Sequence, residues 1–146
     1  MAITSAICNS FKVEILTATH NFTASSGNTF NLALYTSSAT LNKSTTAYSS
    51  SNEKSNTSGS AYSAKGNALT SVTPVLSSDT AVCDFANSSW TSASFTARGC
   101  LIFNDSASGD PAVCAIDFGG DKTVTSGTFT IEFPAASAGS AIIGIA

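Results

Sequence analysis

From Ala61 onward, short apolar runs recur every ten to fifteen residues, each closed off by turn-forming residues, and this spacing constrains the chain more than any other feature. The runs are Ala68 to Pro74, Thr80 to Phe85, Ser92 to Thr96, Cys100 to Phe103, Ala112 to Phe118, Thr128 to Phe133 and Ala141 to Ile145. Between them lie Ser77-Ser78-Asp79, Ser106 to Pro111, Gly119-Gly120-Asp121 and Ser126-Gly127. Helices need longer periodic stretches, so the pattern predicts strands. An earlier run, in which Phe30, Leu32 and Leu34 alternate with Asn31, Ala33 and Tyr35, brings the number to about eight. Short links make hairpins of Cys100–Phe103 with Ala112–Phe118, and of Ala112–Phe118 with Thr128–Phe133. The fold class read from this is mainly β, an antiparallel β-sandwich.

One segment has a different period. Between residues 4 and 19, Ile7, Phe11 and Ile15 fall four apart, with Lys12 and Glu14 off the stripe, which predicts one N-terminal amphipathic helix capped by Thr4 or Ser5. Residues 36–60 have no period at all and few large apolar side chains, and read as a long polar surface loop. At 146 residues the chain is expected to form one domain around one core. The candidate core residues are Phe11, Ile15, Leu32, Leu34, Phe129, Ile131 and Phe133; in the last strand the odd positions point inward, while Thr128, Thr130 and Glu132 point out.

The surface chemistry is unusual. Serine and threonine make up 45 of the 146 residues and charged residues only 10%, with a formal net charge of −3. No cationic stripe is available to displace counterions from a phosphate backbone, so nucleic acid is not an expected partner. No window approaches the roughly 20 apolar residues that span a bilayer, and the opening Met-Ala-Ile-Thr-Ser-Ala-Ile has no basic n-region, so the expectation is a soluble chain made in a cytoplasm, with no membrane partner. Cys8, Cys83, Cys100 and Cys114 form no Cys-x-x-Cys pair, and three of them sit in apolar runs. They are expected to be reduced core thiols rather than metal ligands or disulfides.

Catalytic machinery is sparse. His20 is the only histidine and has no nucleophile marked out by context, and Asp117-Phe118-Gly119 matches the kinase triplet without any other kinase element. Asn104-x-Ser106-x-Ser108-Gly109 copies the first half of a calcium loop but carries Ala115 where the bidentate Glu belongs. The chain is therefore read as a non-enzyme with no catalytic, metal or cofactor-binding residues. Arg98, the only arginine, is expected to pair with Asp84 or Asp117, since its planar fork suits a carboxylate. Trp90, Phe95, Tyr35, Tyr48 and Tyr62 are the aromatic residues from which a sugar-stacking platform could be built.

Three stretches carry a resemblance: Tyr62-Ser63-Ala64-Lys65-Gly66-Asn67-Ala68-Leu69, Phe95-Thr96-Ala97-Arg98-Gly99, and Asp117-Phe118-Gly119-Gly120-Asp121 followed by the Gly127–Pro134 strand. With them the chain resembles small virion structural proteins of tailed bacteriophages, with Lys65 standing where glycine is expected. The resemblance implies a non-enzymatic capsid decoration or cement protein that binds the major capsid protein and itself, as a homo-oligomer and most simply a trimer. It would be made in the host bacterial cytoplasm and located in the virion. A tail- or neck-associated role, or a host-glycan-binding attachment module, is the alternative.

Overall fold

The computed structural model describes residues 2–55 and 57–146. Among these residues eight strands and one helix follow in the order β1 (Ala6–Ile7), α1 (Asn9–Leu16), β2 (Phe30–Tyr35), β3 (Asn67–Ala68), β4 (Ser71–Ser77), β5 (Thr80–Phe85), β6 (Ser88–Asn104), β7 (Ala112–Ile131) and β8 (Ile143–Ile145). They form a five-stranded sheet ordered β1-β7-β6-β2-β3 and a three-stranded sheet ordered β4-β5-β8, with all pairings antiparallel. The mainly β, sandwich-like architecture anticipated from the spacing is the one present.

The strands are longer than the apolar runs. Ser92–Thr96 and Cys100–Phe103 belong to a single 17-residue strand, and Ala112–Phe118 and Thr128–Phe133 are not a hairpin but lie along one 20-residue strand and its exit. Gly119-Gly120-Asp121 is a bulge within β7, where turn-type residues interrupt the ladder without reversing the chain.

The helix is shorter than its period suggested. Ala6 and Ile7 pair with Ala115 and Cys114 as an edge strand, and the helix begins only after Cys8. Neither proposed cap is used: the Thr4 amide donates to the Leu41 carbonyl, and Ser5 Oγ accepts from the Asp117 amide. Ala18, in the left-handed region at φ 59°, turns the chain out of the helix. Phe11 is buried, whereas Ile15 is only half-buried and Leu16 lies 87% exposed.

Strand β2 is buried along its whole length, on both faces. Pairing sets Phe30, Leu32 and Leu34 beside Asn104, Ile102 and Cys100 on one face, and Ala33 beside Leu101 on the other. Such two-sided burial is typical of strands covered above and below, and it explains the unbroken apolar run from Cys100 to Phe103. The first face is covered by the segment that follows α1 and by the small sheet: Phe22 stacks on Phe30 at 4.2 Å, and Phe85 of β5 lies tilted against it at 6.0 Å.

The second face is covered by the segment expected to be a surface loop. The described residues of this segment, 36–55 and 57–60, form an ordered strap in which Ala39, Leu41 and Ser60 are buried and Tyr48 stacks on Phe103 at 4.6 Å. Small polar side chains satisfy the strap's own backbone, as where Asn42 Oδ1 accepts from the Ser44 amide and Thr45 Oγ1 from the Asn42 amide. Low hydropathy therefore did not prevent ordering here.

Beyond Asp117 strand β7 has β6 on one side and, among the described residues, no strand on the other, since β1 reaches only Cys114 and Ala115. This leaves Phe129, Ile131 and Phe133 half-buried, facing inward but incompletely covered. Ile131→Ala should therefore cost about 1–2 kcal/mol, below the roughly 2–5 kcal/mol expected of Leu101→Ala, which is fully buried. Paired urea melts of the two variants check the ranking.

Candidate functional site

The second and third stretches of the resemblance meet across β6 and β7. Ala97 pairs with Lys122 and Gly99 with Asp117, so four residues, Phe118 to Asp121, stand opposite Arg98 alone. Gly119, at φ +76°, makes the left-handed step this bulge needs. Asp117 Oδ1 accepts from Arg98 Nε at 3.0 Å and from the Gly119 amide at 3.0 Å, closing the bulge from both sides. The Arg98 bond, helped by the Gly119 amide, holds the Asp117 carboxyl below the usual carboxylate range. Asp84 takes no part; its Oδ1 accepts from the Phe85 amide at 2.8 Å. The arrangement fixes a bend in the ribbon and presents no group poised for chemistry.

The first stretch closes the strap through Glu53, which the sequence did not mark. Glu53 Oε2 accepts from the Tyr48 hydroxyl at 2.6 Å, and Glu53 Oε1 accepts from the Tyr62 hydroxyl and the Lys65 amide, both at 2.7 Å. Tyr62 Oη in turn accepts from the Leu34 amide, which joins strap to sheet. Lys65 sits in the left-handed region at φ 68°, which accounts for glycine being the expected residue there. Its ammonium bridges Asp105 at 2.7 Å and Asp110 at 2.8 Å, inside the loop whose sequence imitates a calcium site. The signal that could have found this cluster is the tyrosine-rich flank of the strap, Tyr35, Tyr48 and Tyr62, in a chain with only three tyrosines.

His20 has a fully buried side chain packed against Phe11, Phe22 and Phe30. Its Nε2 meets Glu14 Oε2 at 2.7 Å and its Nδ1 meets Asn104 Nδ2 at 3.1 Å. Both ring nitrogens are thus occupied, and neither faces a hydroxyl or thiol it could activate. All four cysteines are free, with burial raising the Cys8 and Cys83 thiols to about 11 and Cys114 to about 12, which keeps them protonated and poorly nucleophilic at neutral pH. Among the described residues no group of three His, Cys, Asp or Glu side chains is arranged to hold a metal ion, and no helix is long and apolar enough to cross a membrane.

The aromatic residues considered for sugar stacking are not at the surface. Trp90, Phe95, Tyr35 and Tyr62 are each at most 6% exposed and pack into the core, and Tyr48, in the strap, is half-buried against Phe103. Apolar surface is exposed elsewhere. Pairing places Leu76, Ala81 and Ile145 in one row on the same face of the small sheet, with Leu76 72% and Ile145 55% exposed. Where this face overhangs the end of α1, an open groove of about 440 Å³ runs between Ile15 and Ala18 on one side and Pro74, Ala81, Cys83 and Ile145 on the other. Comparison of the chain with protein-family models, curated proteins and solved structures finds no match.

Proposed function

We propose that the chain is a non-enzymatic structural subunit of a tailed-phage virion, a decoration or cement protein that binds the outside of the shell as a homo-oligomer, most simply a trimer. The observation that carries this reading, beside the sequence resemblance, is the uncovered row Leu76, Ala81 and Ile145 bordering an open apolar groove. Exposed leucine at this level is a cost to an isolated subunit and a source of binding energy once a partner covers it. The ion pairs and the strap cluster are spent on holding the fold, which suits a part whose work is mechanical.

Sedimentation of the purified protein, together with binding to expanded capsids, tests the proposal. The expected result is an oligomer that binds shells, and a Leu76→Asp variant that keeps its melting temperature but loses at least about tenfold in affinity, as for one central apolar contact. A monomer that ignores capsids and labels the tail instead would move the protein to the tail or neck. Binding to host glycans, with no binding to particles, would make it an attachment module.

A further inference from the structure

Asn104 is wholly buried, and every polar atom of its side chain is engaged. Its Oδ1 accepts from the Ser106 amide at 3.0 Å and the Ala107 amide at 3.2 Å, which together build the turn that leaves β6. Those two donors fix the orientation of the amide, so Nδ2 is the group that faces His20 Nδ1, the Thr19 carbonyl and Asn28 Oδ1. An N–H can only donate, so His20 Nδ1 accepts and carries no proton. The imidazole is then the neutral Nε2–H form, donating to Glu14 Oε2.

A second proton on His20 has nowhere to go without breaking this arrangement. It would bind Nδ1 and set an N–H against an NH2 group at 3.1 Å. Turning the Asn104 amide over would satisfy the imidazolium but aim NH2 at the amides of Ser106 and Ala107, leaving the two donors of the turn without their acceptor. Glu14, from α1, is the charged group facing the ring, with Oε2 2.7 Å from Nε2. From β5, Cys83 lines the same groove and keeps its proton, with a pKa raised to about 11; β2 and β6 bring Phe30 and Asn104, which do not titrate. Nε2 thus meets an acceptor in Glu14, whereas Nδ1 meets a donor in Asn104, so a proton on Nδ1 sets donor against donor. The conflict is released at the turn.

We infer that His20 is a proton-operated latch: uptake of a second proton frees Asn104 from the Ser106 and Ala107 amides and loosens the turn between β6 and β7. The turn carries Asp105 and Asp110, the two carboxylates that hold Lys65 and with it the end of the strap.

Nuclear magnetic resonance on the intact protein tests this across the titration of His20. At neutral pH the imidazole nitrogen shifts should report the Nε2–H tautomer. As the ring protonates, the Ser106 and Ala107 amides should exchange at least about fivefold faster, after correction for intrinsic rates and with the same midpoint, as expected for losing about one net hydrogen bond. The Leu101 amide serves as the control for global unfolding and should keep its protection. An Nδ1–H tautomer at neutral pH, or unchanged Ser106 and Ala107 protection through the titration, would overturn the proposal. Asn104→Asp offers an acceptor to both sides, so it should hold His20 doubly protonated to higher pH and remove the acid sensitivity of the two amides. Retention of that sensitivity in a folded variant would also overturn it, and if the variant does not fold the wild-type titration decides alone.

Discussion

Gly66→Ala should leave the protein largely unfolded, with a loss above about 4 kcal/mol, which is at the extreme for a single substitution. Two costs combine. Gly66 has φ +65°, a region where an L side chain is strained by about 1–3 kcal/mol, and a Cβ added there would stand 1.9 Å from the Leu32 carbonyl oxygen and 2.8 Å from its carbon. Both obstacles are backbone atoms of β2, the strand buried on both faces, so relief requires moving the middle of the sheet. Gly120 gives the control, since a Cβ there meets nothing within 4 Å, and Gly120→Ala should melt within about 0.5 kcal/mol of wild type. Similar melting curves for the two variants would mean that the Tyr62–Leu69 stretch does not lie against β2 as described.

Alkaline pH should unfold the protein steeply, starting from about pH 9. Burial raises Cys114 from 9.0 to about 12 and Cys8 from 9.0 to about 11, and it raises Tyr48 from 10.0 to about 12 together with its bond to Glu53. Cys100, Tyr35 and Tyr62 are shifted upward as well, in each case first by burial. For an acid whose pKa is higher in the folded state, the unfolded chain loses its proton first. Above the unfolded value it therefore binds fewer protons than the native state, and stability falls as pH rises, until the folded value is passed. Cys114 alone amounts to on the order of 4 kcal/mol by pH 12. Typical total stabilities of 5–15 kcal/mol would not survive several such groups acting together. Urea midpoints measured between pH 8 and 11 should fall continuously, and Cys114→Ala should reduce the slope. A flat profile would show that these thiols and phenols reach water more freely than their burial implies.

The period-two alternation at Thr128–Phe133 was enough to tell which side chains face inward, because one strand's pleat carries that information locally. The degree of burial was not legible there, since it depends on whether another strand lies beyond β7, and β1 accompanies β7 only as far as Ala115. Ile7 shows the complementary failure: it sits in register with Phe11 and Ile15 on a helical stripe, yet its backbone is taken by the edge of β7, a competition between local period and distant pairing that only the fold decides. The strap was misread for a different reason. Its anchoring rests on Glu53, Tyr48 and Tyr62 meeting in space and on serine, threonine and asparagine bonds to backbone, neither of which leaves an apolar pattern. The chemistry of Arg98 offers Asp84 and Asp117 equally as partners, and the bulge makes the choice in favour of Asp117. The groove beside α1 had no sequence signature, being formed by the distance between two elements rather than by either.

The order of strands in the large sheet bears on how the chain comes to be assembled. Ala6 pairs with Ala115, more than a hundred residues later, and Leu32 pairs with Ile102, some seventy residues later. Loops of that length must close before the pairings reward them, so folding is expected on the slow, millisecond-to-second side of the range for small β proteins. During synthesis Phe30–Tyr35 leaves the ribosome long before β6 exists to receive it, an apolar edge with both faces bare. The hairpin of β6 and β7 is the one long local pairing available, and its closure creates the template on which the older strands then settle from either side. Yield in the cell would thus be governed by how quickly that hairpin closes relative to self-association of the waiting strand.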